Sequence, residues 1–337
     1  MRRWILKAGT INLDGMVMQD APKPEPSAGE VRVRMRAVSL NYRDQLVLQD
    51  PGQLWRVPDR DLVPIADGAG EIDAVGPGVD TWTVGERVTS LYFKDRLQGP
   101  PHPGMGLGLG SRDEDGMLAE YVVLSAKRVI RAPESLSFAE AATLPCAGLT
   151  AWSALGGDRP VGPGSKVLVL GTGGVSLFAL VLARALGAEV FATTSQDAKK
   201  ERLAALGATG VVNYRQVQEW GKAVFDLTGG VDRVVNAAGT GSLNQSMAAL
   251  RPGGEVAVMG LMTFGDPLDP MLLMGKGVTV RGISVGDVEG AKALAQAIDS
   301  HEVKPPIDQT FNFEDAKSAL QAQSSPELFG KIVIHLS

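Results

Sequence analysis

A glycine-rich turn is the part of the sequence whose residue types point most directly to chemistry. It runs from Gly171 to Ser176 (GTGGVS), directly after a short apolar stretch and directly before an apolar helix pattern. Gly171 suits a tight turn, and Gly173 lets the backbone approach a pyrophosphate held by the amides of a helix N-terminus. Ser176, a small residue, takes the place of the usual third glycine. This context predicts a dinucleotide-binding site, and a tight turn that binds nothing is the alternative. The predicted cofactor contacts are Gly171, Gly173, Gly174 and Val175.

The end of the second strand in this region indicates which dinucleotide binds. Sites selective for NAD place an acidic residue there for the ribose 2′-hydroxyl, whereas this strand ends at Thr194 and Ser195. Lys199 follows on the next helix, and Tyr214 ends the third strand. Hydroxyl groups and a cation accept the 2′-phosphate of NADP, so we predict NADP, with NAD as the less favoured cofactor. Asp197 lies close by in sequence and weakens this preference. The alternative is that Lys199 and Lys200 form an ordinary solvated helix face.

The elements that must position these residues alternate regularly after Gly164. Short apolar strands and helix patterns follow one another, as expected of a parallel, doubly wound α/β sheet. The predicted strands cover residues 166–170, 190–194, 210–213, 231–236, 256–259 and 278–283. The preceding part of the chain is β-rich instead. From Glu30 to Leu40 apolar residues and arginines alternate, which predicts a half-buried strand with one solvated face. Residues 99–116, rich in Gly and Pro, predict a long surface loop, and the tail after Asp287 is assigned to the β-rich domain.

Composition excludes several classes of function. The 337 residues are 44% hydrophobic and 21% charged, with a net charge of −5, so the chain is globular and lacks the basic surplus of a nucleic-acid-binding protein. A single cysteine, Cys146, excludes an intramolecular disulfide framework and any all-cysteine metal site. No apolar run reaches the ~18 residues that a membrane span needs, and the N-terminus lacks the apolar core of a secretory signal. We therefore expect no nucleic-acid or membrane partner and a cytoplasmic location.

Motifs along nearly the whole chain resemble those of the medium-chain dehydrogenase/reductase superfamily. Besides the glycine-rich turn, they are SLNYRD at 39–44, DGAGE at 67–71, VGPGV at 75–79, VGERV at 84–88, LPCAGLTAW at 144–152 and FGKIV at 329–333. The resemblance implies a partly open, GroES-like β-barrel catalytic domain at residues 1–147 and 285–337. It also implies a Rossmann domain at residues 148–284, with the active site in the cleft between the two domains.

The resemblance also concerns metal. Zinc alcohol dehydrogenases of this superfamily bind their catalytic zinc through Cys, His and Cys, and the matching positions here are Asn41, Ala66 and Cys146. One thiolate does not supply the three protein ligands of a catalytic zinc site, and the loop that carries four cysteines in those enzymes has none here. The chain therefore resembles most closely the zinc-independent, quinone oxidoreductase-like branch, often described as alcohol dehydrogenase-like. Leu46 stands where quinone reductases often carry a tyrosine.

The branch implies NADPH-dependent reduction of a small electrophile: a conjugated carbonyl, an enone or a quinone. Without a metal, hydrogen bonds must polarise the acceptor. We predict Tyr42 as the donor to the substrate oxygen, Asn41 as the residue that orients the substrate, and Asp44 as their support. The alternative is that Tyr42 packs inside the barrel and that Asp44 only pairs with Arg43. By the resemblance alone, further cofactor contacts are Thr150, Gly260, Leu261, Ile283 and Ser284.

Two further expectations concern the substrate pocket and assembly. Residues 54–60 and 99–116 are expected to line the pocket, although their composition does not identify a substrate. Relatives commonly dimerise through the last Rossmann strand, here 278–285, so the resemblance implies a homodimer.

Three other functions remain as alternatives at this stage. One is alcohol or aldehyde dehydrogenation within the same superfamily, and another is a non-catalytic NADP-binding sensor. The third is an α/β-hydrolase, because residues 282–286 (GISVG) match a nucleophile elbow, with Asp308 and His335 downstream in hydrolase order. Only 51 residues follow Gly286, too few for the rest of a hydrolase sheet, and His335 lies in an apolar strand.

Overall fold

The computed structural model describes residues 1–10, 12–49, 59–94, 96–265 and 267–336. It forms two compact units, one of residues Met1–Leu149 with Asp287–Ser337, the other of Thr150–Gly286. The predicted boundaries, 147/148 and 284/285, each differ from these by two residues. Residues 54–58 of the segment expected to line the pocket lie outside the described residues.

Fifteen strands are present in the described part of the chain. They are β1 (Arg2–Leu6), β2 (Met16–Asp20), β3 (Glu30–Ser39), β4 (Asp67–Val75), β5 (Arg87–Ser90), β6 (Tyr121–Ser125), β7 (Val129–Arg131), β8 (Lys166–Leu170), β9 (Glu189–Thr194), β10 (Gly210–Asn213), β11 (Val231–Asn236), β12 (Leu250–Val258), β13 (Thr279–Gly282), β14 (Ile307–Asn312) and β15 (Lys331–His335).

Ten α-helices connect these strands within the described residues. They are α1 (Tyr42–Gln49), α2 (Phe138–Ala141), α3 (Leu149–Leu155), α4 (Gly174–Ala185), α5 (Lys200–Ala205), α6 (Trp220–Thr228), α7 (Leu243–Ala249), α8 (Pro270–Lys276), α9 (Val288–His301) and α10 (Ala316–Ala322). A single π-helical turn, Leu144–Gly148, precedes α3. In the described part of the chain, no helix combines the length and the apolar character needed to cross a bilayer.

The first unit is built on a sheet in the order β14-β15-β3-β4-β5-β7, with β6 also paired to β3. Its ladders are antiparallel except for the parallel pair β14 and β15. The apolar face of β3 is buried, as its alternation predicts. The opposite face is not simply solvated, because Arg32 is buried against Asp73 and Arg36 binds Glu71. Carboxylates on the neighbouring strand β4 explain the difference, since charge pairing lets a guanidinium lie close to the core.

The second unit is the predicted parallel α/β sheet. Its strand order is β10-β9-β8-β11-β12-β13, and all five ladders are parallel. This is the strand order of a Rossmann sheet. Strands are added on one side of β8 as far as β10, and then on its other side from β11 to β13. β8 is fully apolar along its buried residues and lies at the centre, where helices cover both faces. The α/β fold class is therefore confirmed, with the glycine-rich turn at the carboxyl edge of the sheet.

Candidate cofactor and active site

The glycine-rich turn in the second unit has the geometry of a phosphate-binding turn. Gly171 follows β8 directly with φ of 77°, a conformation that favours glycine. Gly173 is the N-cap residue of α4, and no side chain caps the helix there. Side chains added at either glycine would meet open space rather than protein. The backbone at the start of α4 is thus accessible to an anion, and the turn fits the pyrophosphate of a dinucleotide.

Ser176 explains how the turn tolerates a residue other than glycine at its third position. Its side chain is buried, and its Oγ donates a hydrogen bond of 2.6 Å to the Leu170 carbonyl at the end of β8. The hydroxyl therefore ties the first turn of α4 to the central strand. Gly174 and Val175, the other predicted contacts, form the first residues of α4.

The residues predicted to select NADP lie around the neighbouring strand ends. The Nζ of Lys199 donates to Thr172 Oγ1 at 3.3 Å, which places this lysine beside the glycine-rich turn. Lys199 is only 5% exposed, so the alternative of an ordinary solvated position is wrong. The N–H of Tyr214 donates to the Thr194 carbonyl at 3.0 Å, and Tyr214 is exposed. Ser195, which follows Thr194, is half-buried.

Asp197, the acid that weakens the preference for NADP, is engaged by its own neighbours. Its carboxylate accepts hydrogen bonds from Asn213 and Gln216 and pairs with Lys200 at 2.8 Å. The hydrogen bond from Lys200, followed by those from Asn213 and Gln216, lowers the pKa of Asp197 to about 2. The Asp197 carboxylate is therefore negatively charged, but Lys200, Asn213 and Gln216 compensate its charge.

The residues predicted at the nicotinamide end lie on the same sheet edge or in α3. The N–H of Gly260 donates to the Asn236 carbonyl at 3.2 Å, and the N–H of Ile283 donates to the Val258 carbonyl at 2.8 Å. Leu261 is exposed, and Ser284 follows directly after Ile283. Thr150 is buried near the start of α3. Their contact with a cofactor stays a prediction.

In the first unit, the predicted catalytic residues lie at the start of α1. The N–H of Asn41 donates to Asp44 Oδ2 at 2.8 Å, and the N–H of Asp44 donates back to the Asn41 carbonyl at 2.9 Å. Tyr42, the first residue of α1, is 41% exposed. The alternative that Tyr42 packs inside the barrel is therefore wrong. The ion pair between Arg43 and Asp44, which that alternative also included, is present at 3.1 Å.

Arg43 also fixes part of the glycine-rich segment 99–116. Its buried guanidinium donates to the Leu109 carbonyl at 2.7 Å and to the Gly110 carbonyl at 3.3 Å. Residues 108–111 are buried as a result, while most of residues 100–107 are exposed. The prediction of a surface loop is thus wrong for this short part, because a buried cation binds carbonyl groups that would otherwise face water.

Sequence reasoning missed a group of buried charged and polar side chains around Asn41. Asp67 is fully buried at the start of β4, and its Oδ2 accepts a hydrogen bond of 3.1 Å from the Cys146 N–H. The buried Lys331 on β15 donates through Nζ to Asn41 Oδ1 at 2.6 Å and to the Leu40 carbonyl. The available signal was a lysine within the otherwise apolar stretch 329–334. We name Asn41, Asp67, Cys146 and Lys331 the Asn41 cluster.

Burial dominates the electrostatics of the Asn41 cluster. It raises the pKa of Asp67 to about 7, while the charge of Lys331 acts in the opposite direction. Burial also raises the pKa of the Cys146 thiol, which favours the neutral thiol over a thiolate. The pKa of Lys331 is lowered by burial, against the nearby Asp67, Cys146 and Asp44, which raise it.

The Asn41 cluster does not have the donor set of a catalytic zinc site. Asn41 offers an amide whose oxygen already accepts from an ammonium, Ala66 offers a buried methyl group, and only Cys146 keeps a side chain that binds zinc. Throughout the described ranges, no three His, Cys, Asp or Glu side chains are placed together so that they could bind a metal ion. A catalytic zinc site takes three protein ligands from Cys, His, Asp and Glu side chains, and Asn41 and Ala66 supply none of these.

The two folds and the glycine-rich turn define a class of oxidoreductases, and comparison with known proteins agrees. The alcohol dehydrogenase GroES-like domain family matches residues 27–134, and the zinc-binding dehydrogenase family matches residues 174–300. The chain belongs to the medium-chain dehydrogenase/reductase superfamily of NAD(P)H-dependent enzymes. The predicted GroES-like and Rossmann folds are confirmed. Membership favours an enzyme over a non-catalytic sensor, and it excludes the hydrolase alternative.

Individual relatives span at least nine tenths of the chain. A zinc-type alcohol dehydrogenase-like protein of Schizosaccharomyces pombe is 37% identical, covering 91% of both chains. A 2-haloacrylate reductase of a Burkholderia species is 28% identical, covering 95% of both chains. A solved structure of an NAD-dependent alcohol dehydrogenase is 31% identical, with a TM-score of 0.89 and full coverage of both chains.

Proposed function

We propose that this enzyme transfers hydride from NADPH to a small conjugated acceptor, an enone, conjugated carbonyl or quinone, without catalytic zinc. The observation that carries the proposal is the ammonium of Lys331, 2.6 Å from the side-chain oxygen of Asn41. Asn41 matches the first zinc ligand of related alcohol dehydrogenases, and a buried cation at this position repels a second one. The zinc-binding dehydrogenase family match, residues 174–300, does not include Asn41, Ala66 or Cys146.

In the proposed zinc-free site, the acceptor itself must be electrophilic. Conjugation makes a C=C or C=O bond electrophilic enough for hydride attack with hydrogen-bond polarisation alone, whereas an unactivated alcohol needs a metal to lower its pKa. The bound dinucleotide supplies the hydride. Tyr42 donates a hydrogen bond to the acceptor oxygen, Asn41 orients the acceptor, and Asp44 holds the Asn41 backbone. The name of the 2-haloacrylate reductase relative, which denotes an alkene conjugated to a carboxylate, supports this substrate class.

NADPH is the proposed cofactor because the second Rossmann strand ends without a free acid. Lys199 lies beside the glycine-rich turn, and the carboxylate of Asp197 is compensated by Lys200, Asn213 and Gln216. The relative described as an NAD-dependent alcohol dehydrogenase supports the competing choice, alcohol oxidation with NAD. The two choices predict different activities and different metal contents.

A single set of measurements separates them. Purified protein is dialysed against a strong chelator, analysed for zinc, and assayed for NADPH oxidation with a panel of enones, quinones and aldehydes. We expect less than stoichiometric zinc and undiminished reduction of at least one conjugated acceptor. About one zinc per chain, together with alcohol oxidation that the chelator abolishes, would establish the competing function.

We further propose that the enzyme is a homodimer formed at the β13 edge of the second unit. β13 is the last strand of its sheet, so one edge of its backbone faces outward. Large apolar side chains are exposed on the residues that precede this strand, among them Phe264 at 82% and Met271 at 70%. Met274 on α8 is similarly exposed. Such an apolar surface next to an open sheet edge is typical of a subunit interface.

Light scattering tests the homodimer at micromolar concentration. We expect a mass of twice 35.5 kDa for the wild type and a shift toward the single-chain mass for the double variant Met271→Glu/Met274→Glu. Leu227→Glu is the matched control, because Leu227 is also apolar and exposed but lies on α6, next to Gly210 of β10 at the opposite edge of the sheet. A wild-type mass near 35.5 kDa would refute the proposed dimer.

A further inference from the structure

Lys331 is a charged residue in an apolar environment, and the proposed function uses only its repulsion of a metal ion. It begins β15, is 2% exposed, and is followed by the buried residues Ile332, Val333 and Ile334. Its ammonium donates to two acceptors, the Leu40 carbonyl and Asn41 Oδ1. Both acceptors lie immediately before α1. A buried cation of this kind persists only where it is paired and hydrogen-bonded, so these contacts are specific.

The ammonium determines which way the Asn41 amide faces. An ammonium group is a donor only, so the amide must turn its oxygen toward Lys331 and its nitrogen away. Asn41 Nδ2 and Asp67 Oδ1 are both buried, and neither has a hydrogen-bond partner among the described residues. The hydrogen bond from Lys331 is therefore what fixes the orientation of the Asn41 amide.

We propose that Lys331 is a positioning residue that holds the start of α1, and through it Asn41 and Tyr42, in place for the reaction. The inference rests on the proposed function, in which Tyr42 donates to the acceptor oxygen and Asn41 orients the acceptor. Without the ammonium, the Leu40 carbonyl and Asn41 Oδ1 become buried acceptors without a donor, and the amide loses its preferred orientation. Small displacements of groups that orient a substrate reduce rates strongly, even when the fold is retained.

Kinetics of three variants test the proposal. Lys331→Met keeps the side-chain length but removes the donor and the charge, Lys331→Arg keeps a cationic donor, and Lys292→Met changes an exposed lysine of α9 as the matched control. We expect Lys331→Met to lower kcat for the best acceptor by ~10- to 100-fold at unchanged NADPH affinity, with partial rescue in Lys331→Arg. Rates are expressed per NADPH-binding site, so that misfolded protein does not count as slow enzyme.

A double-mutant cycle with Asn41→Leu distinguishes positioning from a general loss of stability. If Lys331 acts through Asn41, Lys331→Met adds little to the loss of kcat in an Asn41→Leu background. Thermal unfolding of the same four proteins gives the corresponding stability cycle. Additive losses in kcat, or a Lys331→Met variant with wild-type kcat, would overturn the proposal.

A readout that does not depend on turnover separates this inference from the proposed function. The side-chain amide of Asn41, assigned by NMR through Asn41→Leu, should exchange slowly with solvent in the wild type. In Lys331→Met its signal should shift and exchange faster. An unchanged Asn41 signal would overturn the role of Lys331, whereas a wild type that reduces no acceptor but shows the amide change would overturn the proposed function alone.

Discussion

Replacement of Tyr42 by phenylalanine is expected to lower kcat for a conjugated acceptor by ~10- to 1,000-fold, which corresponds to a loss of ~1.5–4 kcal/mol in the transition state. The reason is that a hydrogen bond to the acceptor oxygen strengthens as negative charge develops there. Tyr42 is well placed to donate, since it is exposed at the start of α1 and its neighbours Asn41 and Asp44 are fixed by mutual backbone and side-chain hydrogen bonds.

The measurement is steady-state kinetics with saturating NADPH, alongside a fluorescence titration of the cofactor. Affinity for NADPH should stay unchanged, because the glycine-rich turn belongs to the other unit. Tyr121→Phe on β6 is the matched control and should retain wild-type kcat. An unaltered kcat in Tyr42→Phe would remove Tyr42 from the mechanism.

Lys199→Ala is expected to weaken NADPH binding by ~10- to 150-fold and to leave NADH binding nearly unchanged. A charge-assisted hydrogen bond to phosphate contributes roughly 1.5–3 kcal/mol, and only NADPH carries the 2′-phosphate. Lys199 follows the end of β9, where the adenosine ribose of a bound dinucleotide is expected, so its ammonium is placed to meet the 2′-phosphate. The loss of NADPH affinity in Lys199→Ala should become smaller as the salt concentration is raised, because ions screen the attraction between the ammonium and the phosphate.

Fluorescence titrations of both variants with both cofactors decide the matter. Lys200→Ala is the control, because Lys200 is the neighbouring cation but is paired with Asp197. Its effect on NADPH should be several-fold smaller than that of Lys199→Ala. Equal losses of NADPH and NADH affinity in Lys199→Ala would mean that Lys199 supports the fold rather than the phosphate.

The second unit is predicted well because its signals are local in sequence. The strands at 166–170, 210–213 and 231–236 match β8, β10 and β11, since short runs rich in valine and leucine are typical of parallel strands covered by helices. The glycine-rich turn is predicted for the same reason. The turn between the strand and the helix needs a left-handed conformation, and the glycine at position 171 is visible in the sequence.

The first unit is predicted less completely because charge pairing over long separations determines its interior. Lys331 and Asn41 are 290 residues apart in sequence, and no periodic pattern links them. The burial of Arg32 on β3 similarly depends on Asp73, 41 residues away. Arg43 donates hydrogen bonds to the carbonyl groups of Leu109 and Gly110, which lie in a segment whose composition predicts a solvated loop. Periodicity identifies apolar faces, but it does not show which charges find partners.

The discontinuous first unit has a consequence for the order in which the protein matures. Residues 150–286 form a unit continuous in sequence, whereas β3 receives its partner β15 only from residues 331–335. Domains generally fold as units during N-to-C-terminal synthesis. On a growing chain, the dinucleotide-binding turn is therefore complete before Lys331 exists to anchor Asn41. In this order of synthesis, the proposed cofactor site forms before the proposed acceptor site, which needs β15 and its Lys331.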